Sequence, residues 1–192
     1  MNIIGNNCIG GFIYRDLLKT KYENPFIWSR LLSPHFENLL LNWDNINFQN
    51  IDLKCYSKLD DWRIIIDNKI EVEYRHMKFD KNYNTPVIQD VFVYYNKIWE
   101  YIIEKYNTRL IRMTNKIDLV AIDDNPGYKY DLNKIINCCI DKKLFICTDR
   151  MEEIKTDKLL IVKRYHEFDT DCGQPVRIVN RYNNEIKEFL CN

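Results

Sequence analysis

The stretch Asn6-Asn7-Cys8-Ile9-Gly10-Gly11, with Tyr14 one helical turn further on, gathers residue types that do chemistry. It follows a short apolar run, Ile3-Ile4-Gly5, and precedes Phe12, Ile13 and Leu17 at helical spacing, so it predicts a strand, a sharp polar turn and a helix start. Such a turn aims a thiol, two carboxamides and unbonded backbone N–H groups at one point. Cys8 there would feel the positive end of a helix dipole, which favours the thiolate. With His76 as base, Asp80 as orienter, and Asn6 or Asn7 with the Cys8 N–H as oxyanion donors, it would make a thiol hydrolase. The other reading of Cys8 is a small buried hydrophobe closing the first turn.

The same N–H groups suit a phosphate. Arg109 and Arg112 are three apart, share a face if the helix continues through them, and would clamp a pyrophosphate. Alternatively they cover a helix end and pair with surface carboxylates. Asp123-Asp124 follows an apolar run, where a divalent ion could carry a diphosphate, although Asp123-Asp124-Asn125-Pro126-Gly127 also reads as a plain acidic turn. His166, Glu167, Asp169 and Asp171 form a second polar cluster, either part of a site or a solvated loop. Gly10 and Gly11 weaken the first helix by about 1 kcal/mol each relative to Ala. Close approach by a backbone or ligand, or tight helix–sheet packing, explains them equally.

These residues need a scaffold. A helix is expected from Cys8 to about Lys19, and another from Ser33-Pro34, with Ser as cap and Pro first, burying Phe36, Leu39 and Leu40. Trp62–Phe79 reads as a hairpin turning at Asp67-Asn68, with Ile70, Val72, Tyr74 and His76 on one face. Thr85-Pro86 opens the longest helix. Strands are expected at Ile117–Ile122, Lys143–Thr148 and Leu159–Val162, a helix over Leu132–Ile140 capped by Asp131, and a last helix over Val179–Leu190. Alternating strands and helices predict an α/β fold, a three-layer α/β/α sandwich with a mixed, largely parallel sheet. Ligands gather at the ends of such strands.

The 192 residues fit one domain with a real core. Lys plus Arg and Asp plus Glu both number 28, so no basic excess points to nucleic acid. No apolar run approaches the roughly 18 residues of a membrane span, and the N-terminus lacks the pattern of a signal peptide. Seven irregularly spaced cysteines read as reduced thiols, with no CxxC pair for structural zinc. A cytoplasmic location is expected.

Gly5-Asn6-Asn7-Cys8-Ile9-Gly10-Gly11 with Tyr14 resembles the opening motif, S-N-N-C-W-G-G with a following Tyr, of an uncharacterised family associated with exopolysaccharide biosynthesis. The resemblance continues through Pro25-Phe26, Asp67–His76, Trp99 with Arg109 and Arg112, and Lys143–Thr148. Gly5, Ile9 and Met77 depart from it. It implies an α/β/α fold and a link to surface glycans. A weaker resemblance, through Cys8, Pro25-Phe26-Ile27-Trp28 and His76–Phe79, is to papain-like cysteine peptidases.

The leading expectation is therefore a sugar-directed transferase. A phosphorylated or nucleotide-activated sugar, with or without a divalent metal, would bind at Asn6, Asn7, Gly10, Gly11, Tyr14, Arg109 and Arg112, with His76 as base. The alternatives are a thiol hydrolase using Cys8 and His76, and a non-catalytic binding protein with a degenerate site.

Overall fold

The computed structural model describes residues 1–20, 24–27, 29–55, 62–74, 91–125, 129–165 and 174–192. In chain order its elements are β1 (Ile3–Gly5), α1 (Ile9–Phe12), α2 (His35–Leu41), β2 (Ile51–Cys55), β3 (Trp62–Ile66), β4 (Ile70–Tyr74), α3 (Val91–Leu110), β5 (Leu119–Asp123), α4 (Leu132–Cys138), β6 (Lys143–Thr148), β7 (Ile154–Lys155), β8 (Leu159–Lys163), α5 (Gln174–Arg181) and α6 (Asn183–Cys191).

β1, β5, β6 and β8 lie side by side and parallel, and β7 closes one edge antiparallel. Their side chains alternate between two cores. Ile3, Leu119, Ala121, Phe145, Cys147, Leu160 and Val162 meet α1, α5 and α6. Ile4, Val120, Ile122, Leu144, Ile146 and Ile161 meet α2, α3, α4 and a second, antiparallel sheet, β2-β3-β4. The fold is α/β and three-layered as expected, with a small sheet added to one outer layer.

Local chemistry explains where elements start and stop. Asp67 and Asn68 both take left-handed φ and the Lys69 N–H closes the turn on Ile66 C=O; the ladder then pairs Ile66 with Ile70, so Lys69 is a third loop residue. Asp131 caps α4 by accepting the Lys134 N–H at 3.0 Å.

Four expectations are corrected. α2 begins at His35, and the Ser33 hydroxyl bonds the buried Glu37 carboxylate, not a backbone amide. Glu37 also takes the Lys134 ammonium, which ties α2 to α4. The first helix changes at Ile13 into a π-turn, Ile13–Leu18, ended by Lys19 with φ of 52°. The last helix is two, divided at Tyr182. α3 runs through Asn107 but ends at Leu110, so Arg109 and Arg112 do not share a helix face. The expected helix start at Thr85-Pro86 lies outside the described residues.

β1 is an edge strand, and the chain covers it. The Asn24 carboxamide donates to Ile3 C=O at 2.7 Å, and the Leu31 N–H donates to Asn6 C=O at 2.9 Å. Pro25-Phe26-Ile27 runs between those two bonds, with Phe26 and Ile27 buried. Among the described residues, no helix is long and apolar enough to cross a membrane.

Candidate functional site

The four parallel strands end in polar residues that meet. β1 ends at Gly5 because the chain must fold back on itself there. A Cβ on Gly5 would stand 2.9 Å from Gly10 N and 3.1 Å from Asn7 O. A Cβ on Gly10 would stand at 3.5 Å from Gly5 N, an ordinary contact. Tight packing of turn on helix therefore accounts for Gly5, while Gly10 has room for a methyl group. Gly11 is buried in the same helix.

Asn6 is fully buried and stands in for one more rung of the β1–β5 ladder. Its Nδ2 donates to Asp123 C=O at 2.8 Å, and its Oδ1 accepts the Asp123 N–H at 3.0 Å. Asn7 bridges the turn to the same residue. Its Nδ2 donates to Asp123 Oδ2 at 2.9 Å, and its Oδ1 accepts the Ile9 N–H at 2.9 Å. Both carboxamides are thus committed to holding the turn and not presented as oxyanion donors. Cys8, between buried Asn7 and buried Ile9, is itself partly exposed.

Asp123 is the last residue of β5, and Asp124 follows it; both are buried. Arg164, one residue past β8, donates from Nε to Asp123 Oδ1 at 3.1 Å, with side chains 2% and 1% exposed. Burial pushes the Asp123 carboxyl above its usual range, while Arg164 and Asn7 pull it back. Asp124 receives the Thr148 hydroxyl at 2.6 Å and a two-pronged contact from Arg150, Nε at 2.7 Å and Nη2 at 2.6 Å. Arg150 Nη2 also donates to Tyr130 C=O at 2.9 Å. Its side chain is nonetheless half exposed. It borders a cavity of about 390 Å³ with Asn125, Lys129 and Asp149.

Each strand thus contributes: Asn6 and Asn7 from β1, Asp123 and Asp124 from β5, Thr148 and Arg150 from β6, and Arg164 from β8. Asp123-Asp124 does not fit a divalent ion here, because both carboxylates are held by arginines. Among the described residues no group of three or more His, Cys, Asp or Glu is placed to hold a metal.

The other expected site residues sit elsewhere. Tyr14 is fully buried at the opposite end of β1, where its hydroxyl accepts the Ile3 N–H at 3.1 Å and donates to Met1 C=O. Arg109 donates from Nη1 to Ile27 C=O at 2.8 Å. Arg112 is exposed beyond α3, two residues before Thr114, whose carbonyl is held by Asn2 at the start of β1. Arg109 holds a loop carbonyl instead of a strand-end carboxylate, and Arg112 lies at the end of the sheet where β1 begins. His76, Asp80 and the His166–Asp171 cluster lie outside the described residues.

Thr148, Arg150 and Arg164 were not foreseen. Their signal in the sequence is position: each stands at, or within two residues of, the end of an apolar strand.

The chain matches no protein-family model, no curated protein and no solved structure.

Proposed function

We propose that this protein acts in glycan biosynthesis as a sugar-directed transferase, binding a phosphorylated or nucleotide-activated sugar at the strand ends of the parallel sheet. The observation that carries this reading is the convergence of β1, β5, β6 and β8 on two adjacent buried carboxylates, one held by the buried Arg164 and the other by the half-exposed Arg150. In open α/β sheets, ligands bind outside the carboxyl ends of the strands. A half-exposed Arg150, fixed in orientation by Asp124 and facing a cavity beside Lys129, suits a phosphate oxygen. Asn6 and Asn7 act through position, since they hold Asp123 and shape the turn that presents Cys8. The likeness of Gly5–Gly11 to the exopolysaccharide-associated motif supports the sugar. None of the described cysteines is in a disulfide, which supports a reducing, cytoplasmic setting.

The test is a thermal-shift screen against nucleotide-sugars, nucleotides and sugar phosphates, with and without divalent metal. A ligand at 100 times its dissociation constant stabilises the fold by about 2.7 kcal/mol. A selective hit lost in Arg150→Ala supports the reading, and indifference to every phosphorylated sugar overturns it.

The partly exposed Cys8, at the junction of β1 and α1, favours a second reading as a thiol hydrolase. A Cys8 alkylation rate that rises with pH like that of an ordinary thiol removes it.

A further inference from the structure

The outer edge of β2 has no strand partner among the described residues. Its five residues, Ile51-Asp52-Leu53-Lys54-Cys55, have a symmetry of their own. The ladder to β3 pairs Ile51 with Ile66, Leu53 with Ile64 and Cys55 with Trp62. The Asp67 N–H donates to Asn50 C=O, so the bonded rungs are those of Asn50, Asp52 and Lys54. The N–H and C=O groups of Ile51, Leu53 and Cys55 therefore point away from β3, to the outer edge. One contact agrees directly: the Leu53 N–H finds the Asp52 carboxylate at 2.8 Å in place of a strand.

We infer that β2 pairs antiparallel with β2 of a second copy of this chain, about a two-fold axis at Leu53. In that register Leu53 faces Leu53 of the second copy, and Ile51 faces Cys55. Those are the three positions whose backbone groups already point outward, so the bonded rungs fall where free donors and acceptors exist. Asp52 then faces Lys54 of the second copy, and Lys54 faces its Asp52. These are the non-bonded positions of the ladder, where facing side chains come closest. Asp52 and Lys54 are exposed on one face of the strand. Ile51 and Leu53 lie on the other, half-buried against the core beside Phe48. The two three-stranded sheets join into one of six, and these apolar side chains gain cover.

An isologous contact demands that one strand be complementary to itself, and the Asp-Leu-Lys order meets this at a single register. A shift by two residues leaves at least one charge of each strand unopposed. In the single chain the Asp52 carboxylate guards the edge by capping Leu53, as edge strands commonly need. On pairing, the Leu53 C=O of the second copy takes that N–H, and Asp52 turns to Lys54. This inference is independent of the proposed activity.

The experiment is sedimentation velocity on the full chain over a range of concentrations, with Asp52→Lys, Lys54→Asp and an equimolar mixture of the two variants. Both substitutions are on exposed side chains, and circular dichroism checks that each variant folds. The wild type should dimerise in a concentration-dependent way. Each variant alone should sediment as a monomer, its dissociation constant raised on the order of tenfold or more by like charges facing each other. The mixture should restore a dimer, since one edge is then all cationic and the other all anionic. A wild type that stays monomeric throughout, or a dimer indifferent to either substitution, overturns the inference, as does a mixture that fails to associate. If a charge variant does not fold, Leu53→Pro, which removes the central outward N–H, replaces it with the same expected loss.

Discussion

The two ends of the parallel sheet are finished in different ways. At the start of the strands, polar side chains meet backbone carbonyls. The Asn2 carboxamide donates to Thr114 C=O at 3.0 Å and Lys116 C=O at 3.1 Å, Tyr14 bridges Met1 and Ile3, and the Lys143 ammonium caps the last turn of α6 at Phe189 C=O. At the far end, polar side chains meet one another, and two buried carboxylates meet two guanidiniums, that of Arg164 buried and that of Arg150 on a half-exposed side chain. The fold needs caps at both ends, since buried backbone groups must be satisfied. It does not need fully buried ion pairs at either, because the charged groups of the first end, Asp118 on the Asn2 N–H and Lys143 on α6, stay partly exposed and cap backbone groups. Removing two ions from water costs several kcal/mol each, and their attraction at best offsets it. The charged end therefore carries an arrangement beyond what folding requires, and this supports reading it as the working end.

The comparison breaks most visibly if one ion is taken away. Arg164→Met leaves Asp123 buried with only the Asn7 N–H against its charge. A loss of about 3–5 kcal/mol is expected in urea unfolding. Replacing Asp123 and Arg164 together by apolar residues of similar size should recover most of that stability while removing any phosphate binding. If the double replacement binds as well as the wild type, the charged end is only structural.

The turn that holds this end is the next target. Gly5→Ala drives a methyl against Gly10 N and Asn7 O, backbone atoms that cannot swing aside, and should cost about 1–3 kcal/mol. Gly10→Ala meets only ordinary contacts and gains up to about 1 kcal/mol of helix propensity. A thermal-unfolding midpoint lowered by the first and held or raised by the second would confirm that the turn is built on Gly5. Equal losses would mean that the helix packs more tightly on the turn than these distances allow.

At the start of the strands, Asn2→Ala strips donors from Thr114 and Lys116 and loosens the entry into β5. The expected cost is about 1–3 kcal/mol, because the orphaned groups are neutral. The sharper readout is ligand binding. A destabilisation of that size with undiminished affinity for a sugar phosphate would separate the two ends by function as well as by chemistry.

The strands that make this contrast were legible in the sequence, and the contrast was not. Apolar runs marked β5, β6 and β8, the Asp67-Asn68 pair marked the hairpin, and Asp131 marked α4. β2 alternates as β4 does, but no turn pair such as Asp67-Asn68 announces its pairing with β3, and β7 escaped because two residues carry no period. The division of the last helix at Tyr182 left no Gly or Pro as a signal. At the site, the Asn6–Cys8 turn could be found from local order alone. Arg150 and Arg164 could not, because their partners are set by which strands lie adjacent, a property of the sheet. Arg109 and Arg112 were attractive for a spacing that matters only within a helix, and the helix ends between them. Tyr14 shares a face with the turn in sequence, yet its length carries the hydroxyl to the far end of β1.

The smallest effect concerns two thiols that sit at the two ends. Burial pushes the Cys139 thiol, at the C-terminus of α4, up to about 12 from an ordinary value near 9. Cys147, near the end of β6, is pushed up further, first by burial and then by the Asp123 carboxylate. Both are protonated in the folded chain while the unfolded chain ionises them above pH 9, so the unfolded state binds fewer protons there. Their contribution to stability is full below pH 9 and falls as the pH rises toward 12. Cys139→Ala should lessen that alkaline loss, and Cys147→Ala should lessen it more wherever Asp123 keeps its charge. In Asp123→Asn the Cys147 thiol loses a repelling neighbour, so the difference between the two alanine variants should shrink. Unfolding midpoints measured from pH 8 to pH 11 decide it. A difference that survives Asp123→Asn would place the cause in burial alone and detach Cys147 from the charged network.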